Sequence, residues 1–262
     1  MRAVNLASGS DGNITYIESD NAKILIDVGL SCKEIEKRLA LLNVTGNQID
    51  AILITHEHSD HIKGLDVFAS KYNTPVYAHV DGWPAINDKL TRVKSTQKFE
   101  FSACPFGVKD ILITAFKVSH DSACCVGYSL ESAGKKISIA TDLGKTDENI
   151  LSSLKGSQLV YLEANHNVEL LKQNPNYSLM LKQRILSSRG HLSNLDSAKV
   201  ISFLAQNGTR QVVLSHLSRE NNRPSLAYDE ITAYLKTVGI IEGVHIKIDV
   251  ASTLPGKIFK IV

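Results

Sequence analysis

Residues 51–61 read Ala51-Ile52-Leu53-Ile54-Thr55-His56-Glu57-His58-Ser59-Asp60-His61, an apolar run that ends in a dense group of metal-binding side chains. The run over residues 50–55 predicts a buried strand because it is short and apolar. Imidazole and carboxylate donors together suit Zn, Mn or Fe. The alternative is a solvated histidine-rich turn, but such a turn has no reason to follow a buried strand. The stretch therefore predicts a metal site at a strand end.

The spacing within this stretch favours two metal ions over one. A helix is predicted over residues 62–72, and its start at Ile62 would leave Asp60 and His61 on the preceding loop. There they would face a different direction from His56 and His58. One pair of donors for each of two adjacent ions fits this arrangement.

Three further donors follow predicted strands downstream. They are His120 after residues 111–116, Asp142 after residues 136–141, and His216 after residues 210–215. Taken singly, such a residue is more often a cap or a satisfied polar side chain. Taken together, the three supply the donors that residues 56–61 lack, including one carboxylate to bridge the two ions.

The remaining pattern predicts mixed sheets covered by helices, because the first half is strand-rich and the second alternates strand and helix. Predicted strands cover residues 14–18, 23–27, 50–55, 111–116, 126–130, 136–141, 158–163 and 210–215, and predicted helices cover residues 31–42, 62–72, 146–154, 177–188, 194–205 and 224–238. No repeat or Pro/Gly/Ser-rich linker interrupts the chain, so we expect one domain over residues 1–262. His79 and His245 lie in strand-like runs, and we interpret them as structural.

The composition is that of an ordinary globular protein. The 262 residues include 29 basic and 27 acidic side chains, a formal net charge of +2, and 43% are apolar. These values exclude intrinsic disorder. A protein that binds nucleic acid through bulk charge is normally far more basic. Any nucleic-acid partner must therefore be bound through local geometry.

The cysteine pattern and the hydropathy favour a cytosolic protein. The four cysteines, Cys32, Cys104, Cys124 and Cys125, form no C-x-x-C motif, which favours reduced core thiols. The first residues lack the apolar segment of a signal peptide, and no stretch approaches the ~20 apolar residues of a membrane span. We expect a cytoplasmic protein that has no membrane partner.

The sequence resembles the metallo-β-lactamase superfamily between Ser8 and about Asn222. The residues that carry the resemblance are His56-x-His58-x-Asp60-His61, His120, Asp142 and His216. It implies an α/β fold of four layers, αββα, in which two mixed β-sheets face each other and helices lie outside. It also implies two divalent metal ions, the first held by His56, His58 and His120, the second by Asp60, His61 and His216, with Asp142 bridging them.

Two further motifs indicate a branch of that superfamily. Tyr161-Leu162-Glu163-Ala164 and Gly190-His191-Leu192-Ser193-Asn194 look like motifs of the tRNA-processing endonucleases. In those enzymes the histidine donates a proton to the leaving oxygen and the glutamate orients it. The alternative for His191 is a packed imidazole at a helix N-cap. The surroundings of His120 differ from those in glyoxalase-type thioesterases, and His58 stands where diiron oxygen reductases have glutamate.

A narrower resemblance is to the YycJ/WalJ-type family of Gram-positive bacteria. It rests on the two motifs above, on Ala7-Ser8-Gly9-Ser10-Asp11-Gly12-Asn13 and on Ser215-His216-Leu217-Ser218-Arg219-Glu220-Asn221-Asn222. The resemblance implies a metal-dependent 5′-to-3′ DNA exonuclease linked to mismatch repair and replication fidelity. Residues 143–162 and 192–215 are too few to hold a β-CASP domain, and no Gly/Pro-rich arm for gripping tRNA is present.

Several polar residues are candidates for substrate contacts. Arg219, Asn221 and Asn222 follow His216 closely, and Ser8, Ser10 and Asn13 form a polar turn that could approach the site. For His166 a substrate contact and a loop histidine stay equally open. Lys172, Lys182, Arg184 and Arg189 form either a solvated face or a track for phosphates.

The mechanism that these assignments imply is hydrolysis of a phosphodiester. Two metal ions would share a hydroxide, oriented by Asp60, which attacks phosphorus in line. Glu163 would fix the tautomer of His191, which would protonate the departing 3′-oxygen. The alternative is a metal-dependent hydrolase of a small molecule such as a lactone, thioester or cyclic phosphodiester. A non-catalytic scaffold is disfavoured because all seven ligand positions are filled.

Overall fold

Two seven-stranded sheets form the centre of the computed structural model, which describes residues 1–261. The first sheet has the spatial order β14-β1-β2-β3-β4-β5-β6. Its strands are β1 (Arg2–Ala7), β2 (Ile14–Glu18), β3 (Lys23–Ile26), β4 (Ala51–Leu53), β5 (Val76–His79), β6 (Lys98–Phe101) and β14 (Ile258–Lys260). Strands β14 to β3 pair antiparallel and β3 to β6 pair parallel, so the sheet is mixed.

The second sheet has the order β13-β12-β11-β10-β9-β8-β7 and is also mixed. Its strands are β7 (Phe106–Val108), β8 (Ile111–Val118), β9 (Cys125–Ser132), β10 (Lys135–Ala140), β11 (Leu159–Glu163), β12 (Gln211–Ser215) and β13 (Lys247–Val250). Strands β7 to β10 pair antiparallel, and β10 to β13 pair parallel.

The chain contains nine α-helices within residues 1–261, and six of them cover the outer faces of the two sheets. The nine helices are α1 (Cys32–Ala40), α2 (Ser59–Ile62), α3 (Leu65–Tyr72), α4 (Trp83–Asn87), α5 (Glu148–Leu154), α6 (Val168–Gln173), α7 (Leu179–Leu186), α8 (Asn194–Gln206) and α9 (Pro224–Thr237). One apolar core packs α1, α3 and α4 on the first sheet, and a second packs α5, α8 and α9 on the other. A third core joins the inner faces of both sheets. The predicted four-layer αββα fold is confirmed.

The central strands read as continuous apolar runs because both of their faces are buried. Within β11, for example, Val160 and Leu162 pack under helices, whereas Leu159 and Tyr161 belong to the core between the sheets. A strand covered on both sides does not alternate apolar and polar residues. This is why the runs were recognisable as strands in the sequence.

The predicted start of the helix after the metal-binding stretch is wrong. A short helix, α2, already begins at Ser59, so Asp60 and His61 lie on a helix and not on the loop. His58 is extended at its N-cap, and Asp60 in the first turn interacts favourably with the helix dipole. The segment then breaks before α3, whose N-cap is Gly64.

Two smaller expectations also need correction. His245 lies in a turn and not in a strand, because Gly243 takes the left-handed conformation (φ 81°) and the backbone of His245 hydrogen-bonds back to Ile241. All four cysteines are free, but only Cys124 and Cys125 are buried, whereas Cys104 is exposed. Within residues 1–261, none of the helices has the length and apolarity needed to span a bilayer.

Candidate metal centre

The seven predicted metal ligands meet where strands of both sheets end. His56 follows β4, and His120, Asp142 and His216 follow β8, β10 and β12. Six of them form two triads of donors, each with its ligand atoms within 4.8 Å of one another. The first triad is His56, His58 and His120, and the second is Asp60, His61 and His216.

Asp142 lies between the two triads. Its Oδ2 is 3.3 Å from Nε2 of His61, and its Oδ1 is 3.8 Å from Nε2 of His120. One carboxylate thus reaches a histidine of each triad through a different oxygen. This is the position from which a carboxylate can bridge two cations.

Two histidines of the first triad, His56 and His120, are held in the form that binds metal ions. Nε2 of His56 lies 2.9 Å from Nδ1 of His58. Burial, together with the neighbouring imidazoles, lowers the pKa of His56 well below its usual value. Burial likewise lowers the pKa of His120. Neutral imidazoles result, and the neutral ring is the one that coordinates a cation.

The second triad is oriented by Asp27, a residue that the sequence analysis did not single out. Oδ2 of Asp27 lies 2.7 Å from Nδ1 of His61, which turns Nε2 of His61 towards Oδ2 of Asp60 at 3.3 Å. Burial opposes charge on His61, but the neighbouring carboxylates raise its pKa well above its usual value. Asp27 is itself fixed by the backbone N–H and the hydroxyl of Thr55.

The Glu163 carboxylate accepts a hydrogen bond from each of two histidines, His216 of the second triad and His191. Its Oε1 lies 2.8 Å from Nδ1 of His216 and 2.8 Å from Nδ1 of His191, and its other oxygen accepts the backbone N–H groups of Leu143 and Leu192. Burial alone would raise the pKa of Glu163, but His191 and His216 hold it below its usual range. The buried carboxylate is therefore ionised.

A common pattern links the histidines of the centre. His56, His61, His120 and His216 each have Nδ1 against a neighbouring oxygen, supplied by Thr55, Asp27, the Gly190 carbonyl and Glu163. Metal-ligating histidines almost always have their second nitrogen fixed in this way. His58 differs because it presents Nδ1 to the triad.

Two polar atoms at the centre are buried and make no hydrogen bond. They are Oδ2 of Asp142 and Nε2 of His216. A buried polar atom without a partner is costly, and such atoms normally have one. A carboxylate oxygen and an imidazole nitrogen are both good ligands for Zn, Mn or Fe. The donor set therefore fits metal ions.

The backbone is strained at the same place. Asp27, Asp142 and His216 adopt left-handed conformations, with φ of 59°, 59° and 56°. Residues other than glycine rarely do so, and such strain concentrates at functional sites. The backbone of His216 is held by its N–H, which donates to Oγ of Ser8 over 2.7 Å. Gly29, which follows β3, lets the backbone pass close to Asp60, since a Cβ at Gly29 would lie 1.7 Å from the carbonyl oxygen of Asp60.

The polar turn after β1 supports the ligands more than it faces a substrate. Asn13 is buried and donates from Nδ2 to Oδ2 of Asp60 over 3.2 Å. Ser8 is buried against His216 as described above. Only Ser10 of the three lines the cavity above the centre.

The three substrate-contact candidates after His216, namely Arg219, Asn221 and Asn222, do not line that cavity. Asn222 is buried and donates to the carbonyl groups of Ala164 and Asn165, and Asn221 is buried against Asn174. Arg219 is exposed and pairs with Asp11. The structure thus places neither asparagine where it could contact a phosphate above the ligands. The two asparagines are buried because they pack against partners that are distant in the sequence.

His166 is also enclosed. It is 1% exposed, and neither ring nitrogen has a hydrogen-bond partner. Burial lowers its pKa to about 4, so the ring is neutral. It does not line the cavity, although Glu163 and His191 are close enough to influence its pKa.

A cavity of about 270 Å³ opens above the centre. His191 lies on its wall with 21% of its side chain exposed, beside ligands of both triads. The segment around α7 also lines the cavity and contributes two arginines. The lining side chains outside the centre are Ser10, Asp121, Asn165, Tyr177, Leu181, Arg184, Ile185, Arg189 and Ser218.

Known proteins are similar to this chain in sequence. A family model described as a beta-lactamase superfamily domain matches residues 22–217. Exodeoxyribonuclease YycJ of Bacillus anthracis is 38% identical over 257 residues, which cover 97% of this chain and 96% of that protein. Exodeoxyribonuclease WalJ of Streptococcus pneumoniae serotype 2 is 40% identical over 248 residues, which cover 93% of this chain and 91% of that protein.

The fold is matched among solved structures as well. The metallo-β-lactamase fold protein YhfI of Bacillus subtilis superposes on this chain with a TM-score of 0.71. The two sequences are 18% identical, and the match covers 99% of this chain and 100% of that chain. At that identity the likeness concerns the fold alone. Together with the family model and the relatives, it gives one conclusion: the chain belongs to the metallo-β-lactamase superfamily and, within it, to the YycJ/WalJ-type family.

Proposed function

We propose that this protein is a metal-dependent exodeoxyribonuclease that degrades DNA in the 5′-to-3′ direction. The observation that carries the proposal is the pair of donor triads joined by Asp142 beneath an open cavity. The two relatives at 38% and 40% identity, both named exodeoxyribonucleases, support DNA as the substrate. A cytoplasmic role in mismatch repair or replication fidelity belongs to the same proposal.

The proposed ligands are those of the two triads. His56, His58 and His120 would hold one divalent ion, Asp60, His61 and His216 the other, and Asp142 would contact both. Zn, Mn and Fe all suit this set of donors. When bound, such a pair of ions supplies an activated water and neutralises charge on the phosphoryl oxygens.

Asp60 and His191 are assigned direct roles in the reaction, and Glu163 positions His191. Asp60 lines the cavity with 22% of its side chain exposed, where its carboxylate can orient the attacking water. Glu163 accepts from Nδ1 of His191, so the proton available to a substrate is on Nε2. As the bond between phosphorus and the 3′-oxygen breaks, the leaving oxygen takes its electron pair and accepts that proton.

The second candidate function is hydrolysis of a small molecule by the same centre. A deep, narrow, apolar pocket would favour it. The cavity above the centre is open and carries two arginines and several polar side chains at its wall. This lining favours an extended, charged substrate, and DNA fits that description.

The test is degradation of end-labelled single- and double-stranded DNA and RNA. Protein stripped of metal would receive Zn, Mn or Fe singly, and the products would be sized over time. We expect stepwise shortening of DNA from one end with at least one metal, and none with a chelator. Absence of phosphodiester cleavage with every metal would move the assignment to the small-molecule hydrolase.

A further inference from the structure

Two arginines that line the cavity are more than half exposed. Arg184 lies on α7, and Arg189 precedes the Gly190-His191 pair. Their side chains are 57% and 63% exposed. Other basic residues of the segment face elsewhere, since Lys172 pairs with Glu169 and Lys182 donates to the carbonyl of Lys172. The structure thus singles out two cations from the four in the sequence.

One carboxylate holds both arginines in place. Oδ2 of Asp121 lies 2.6 Å from Nε of Arg184, and its Oδ1 lies 4.0 Å from a terminal nitrogen of Arg189. Arg189 also donates from Nε to the carbonyl of His120, over 3.4 Å. A guanidinium has five N–H donors, so each arginine keeps donors free. The cluster of three side chains carries a net charge of +1.

Three apolar or aromatic side chains of the same segment also line the cavity. Leu181 and Ile185 are one turn apart on α7 and both line the cavity, as does Tyr177 just before the helix. The hydroxyl of Tyr177 is held close to Asn221 and Ser218. The resulting space of about 270 Å³ is at the lower end of small-ligand pockets. A charged mouth with an apolar wall suits one nucleotide, whose phosphate and base differ in the same way.

We propose that Arg184 and Arg189 form a subsite for the terminal phosphate of the DNA end, one nucleotide away from the phosphate that is cleaved. The inference rests on the proposed nuclease function and adds what the enzyme recognises at the end. A terminal phosphate monoester carries about −1.5 to −2 charges at neutral pH, whereas an internal diester carries one. Two arginines favour the monoester because charge-assisted, bidentate hydrogen bonds are the strong ones.

The chemistry of the proposed reaction makes this subsite useful at every step. Attack of water on phosphorus breaks the bond to the 3′-oxygen of the terminal nucleotide, which leaves with the proton from His191. The phosphate stays on the 5′-oxygen of the shortened strand. Each cut therefore creates the terminal phosphate that the next round of binding requires.

The test compares DNA duplexes that differ only in their ends: 5′-phosphate, 5′-hydroxyl or 3′-phosphate. We expect the wild-type KM for the 5′-phosphorylated end to be lower by about tenfold, which is 1.4 kcal/mol. The double variant Arg184→Ala/Arg189→Ala should lose this preference by a rise in KM for the phosphorylated end. Lys172→Ala is the matched control, since it removes one charge from the same segment, and should keep the preference.

A binding measurement separates this inference from the nuclease proposal. Fluorescence anisotropy would follow a labelled dinucleotide with an uncleavable linkage, with and without its 5′-phosphate. Tighter binding of the phosphorylated form by about tenfold in wild type, lost in the double variant, supports the subsite even if no DNA is degraded. Equal binding of both forms in wild type, or a double variant that keeps the preference, overturns it. A preference for the 3′-phosphate would keep the subsite and overturn the proposed polarity.

Discussion

The buried Glu163 carboxylate connects a proposed metal ligand to the proposed proton donor. Oε1 lies 2.8 Å from Nδ1 of both His191 and His216. Both rings need this one acceptor to keep their other nitrogen directed at the cavity or the triad. The residue that sets the geometry of the site is therefore a fully buried carboxylate that is not itself one of the six triad donors.

Glu163→Gln should weaken metal binding and hydrolysis together. Glutamine offers one oxygen and removes the negative charge, so it cannot serve both histidines and the two backbone N–H groups. Replacing a group that orients a ligand typically costs 10–100-fold in metal affinity or activity. Metal titration and kcat would be measured side by side. Glu169→Gln on the exposed face of α6 is the control, and an unchanged metal affinity in Glu163→Gln would contradict this role.

His191→Ala should separate catalysis from metal content. A positioned proton donor contributes about 10²–10⁴-fold, so kcat should fall by that factor. Both metal ions should remain, since His191 belongs to neither triad, although it lies in a further group of close donors with Asp142, Glu163 and His216. Elemental analysis of the purified variant checks this, with His245→Ala as the control because His245 lies in a distant turn. Loss of one ion in His191→Ala would make this histidine a ligand.

The clustering of the seven candidate donors could be predicted at the residue scale because each follows a strand end, and strand ends can be read from apolar runs. Asp27 follows β3 by the same rule and went unrecognised, as did Thr55 after β4. The roles of Asn13 and Asn222 were not predictable in this way. Their side chains are buried against Asp60 and against the carbonyl groups of Ala164 and Asn165, partners that only the folded chain brings near.

At the scale of elements, long buried strands and amphipathic helices were predictable, and short or edge elements were not. Helix α9 was predicted over 224–238 and is found at Pro224–Thr237. Strands β6 and β14 have four and three residues at the margins of the first sheet, too few for a period to emerge. The start of α2 depends on the extended backbone of His58, which no local pattern records.

Helices α1 and α3 are joined by hydrogen bonds to Glu36, whose contribution to stability depends on pH. Oε1 of Glu36 accepts from Nζ of Lys71 over 2.8 Å, from Cys32 and from the hydroxyl of Tyr72. The hydrogen bond from Lys71, followed by that from Cys32, lowers the pKa of Glu36 to about 2. A lowered pKa stabilises the fold above the usual value near 4.5, and the gain disappears as the pH falls from there through about 2.

Glu36→Gln should therefore reduce stability at neutral pH and flatten the acid limb of the stability curve. The loss should be about 1 kcal/mol or less, because the group lies near the surface. Urea unfolding at pH 7, 4 and 3 measures it, and the difference from wild type should shrink as the pH falls. Glu34→Gln is the control on the same helix, where the nearest cations are 3.9 Å away. A difference in the free energy of unfolding that grows towards low pH would contradict this role of Glu36.

At the scale of the whole molecule, the proposed metal centre joins the two sheets. Residues 56–61 follow a strand of the first sheet, whereas His120, Asp142 and His216 follow strands of the second. Ions bound there would connect the two halves of the sandwich. The four layers themselves could be predicted from the order of strands and helices and from the family resemblance, because burial of both sheet faces leaves few alternatives.

Removal of the metal should lower the melting temperature. A ligand that binds only the folded state stabilises it by about 2.7 kcal/mol at a free concentration 100 times its Kd. Scanning calorimetry before and after chelation measures the shift, and adding the metal back should reverse it. Asp142→Asn should show a smaller shift than wild type. Equal melting temperatures with and without chelator would show that the centre does not bind metal in the native state.

The most direct test of the central claim is a stoichiometric titration of metal-free protein that reads bound ions and DNA cleavage in the same samples. The account predicts that cleavage of end-labelled DNA rises until two ions are bound per chain and then levels off. Asp142→Asn should fail to reach full activity at the same occupancy. Two bound ions with no cleavage of DNA, or full cleavage by Asp142→Asn, would contradict the account.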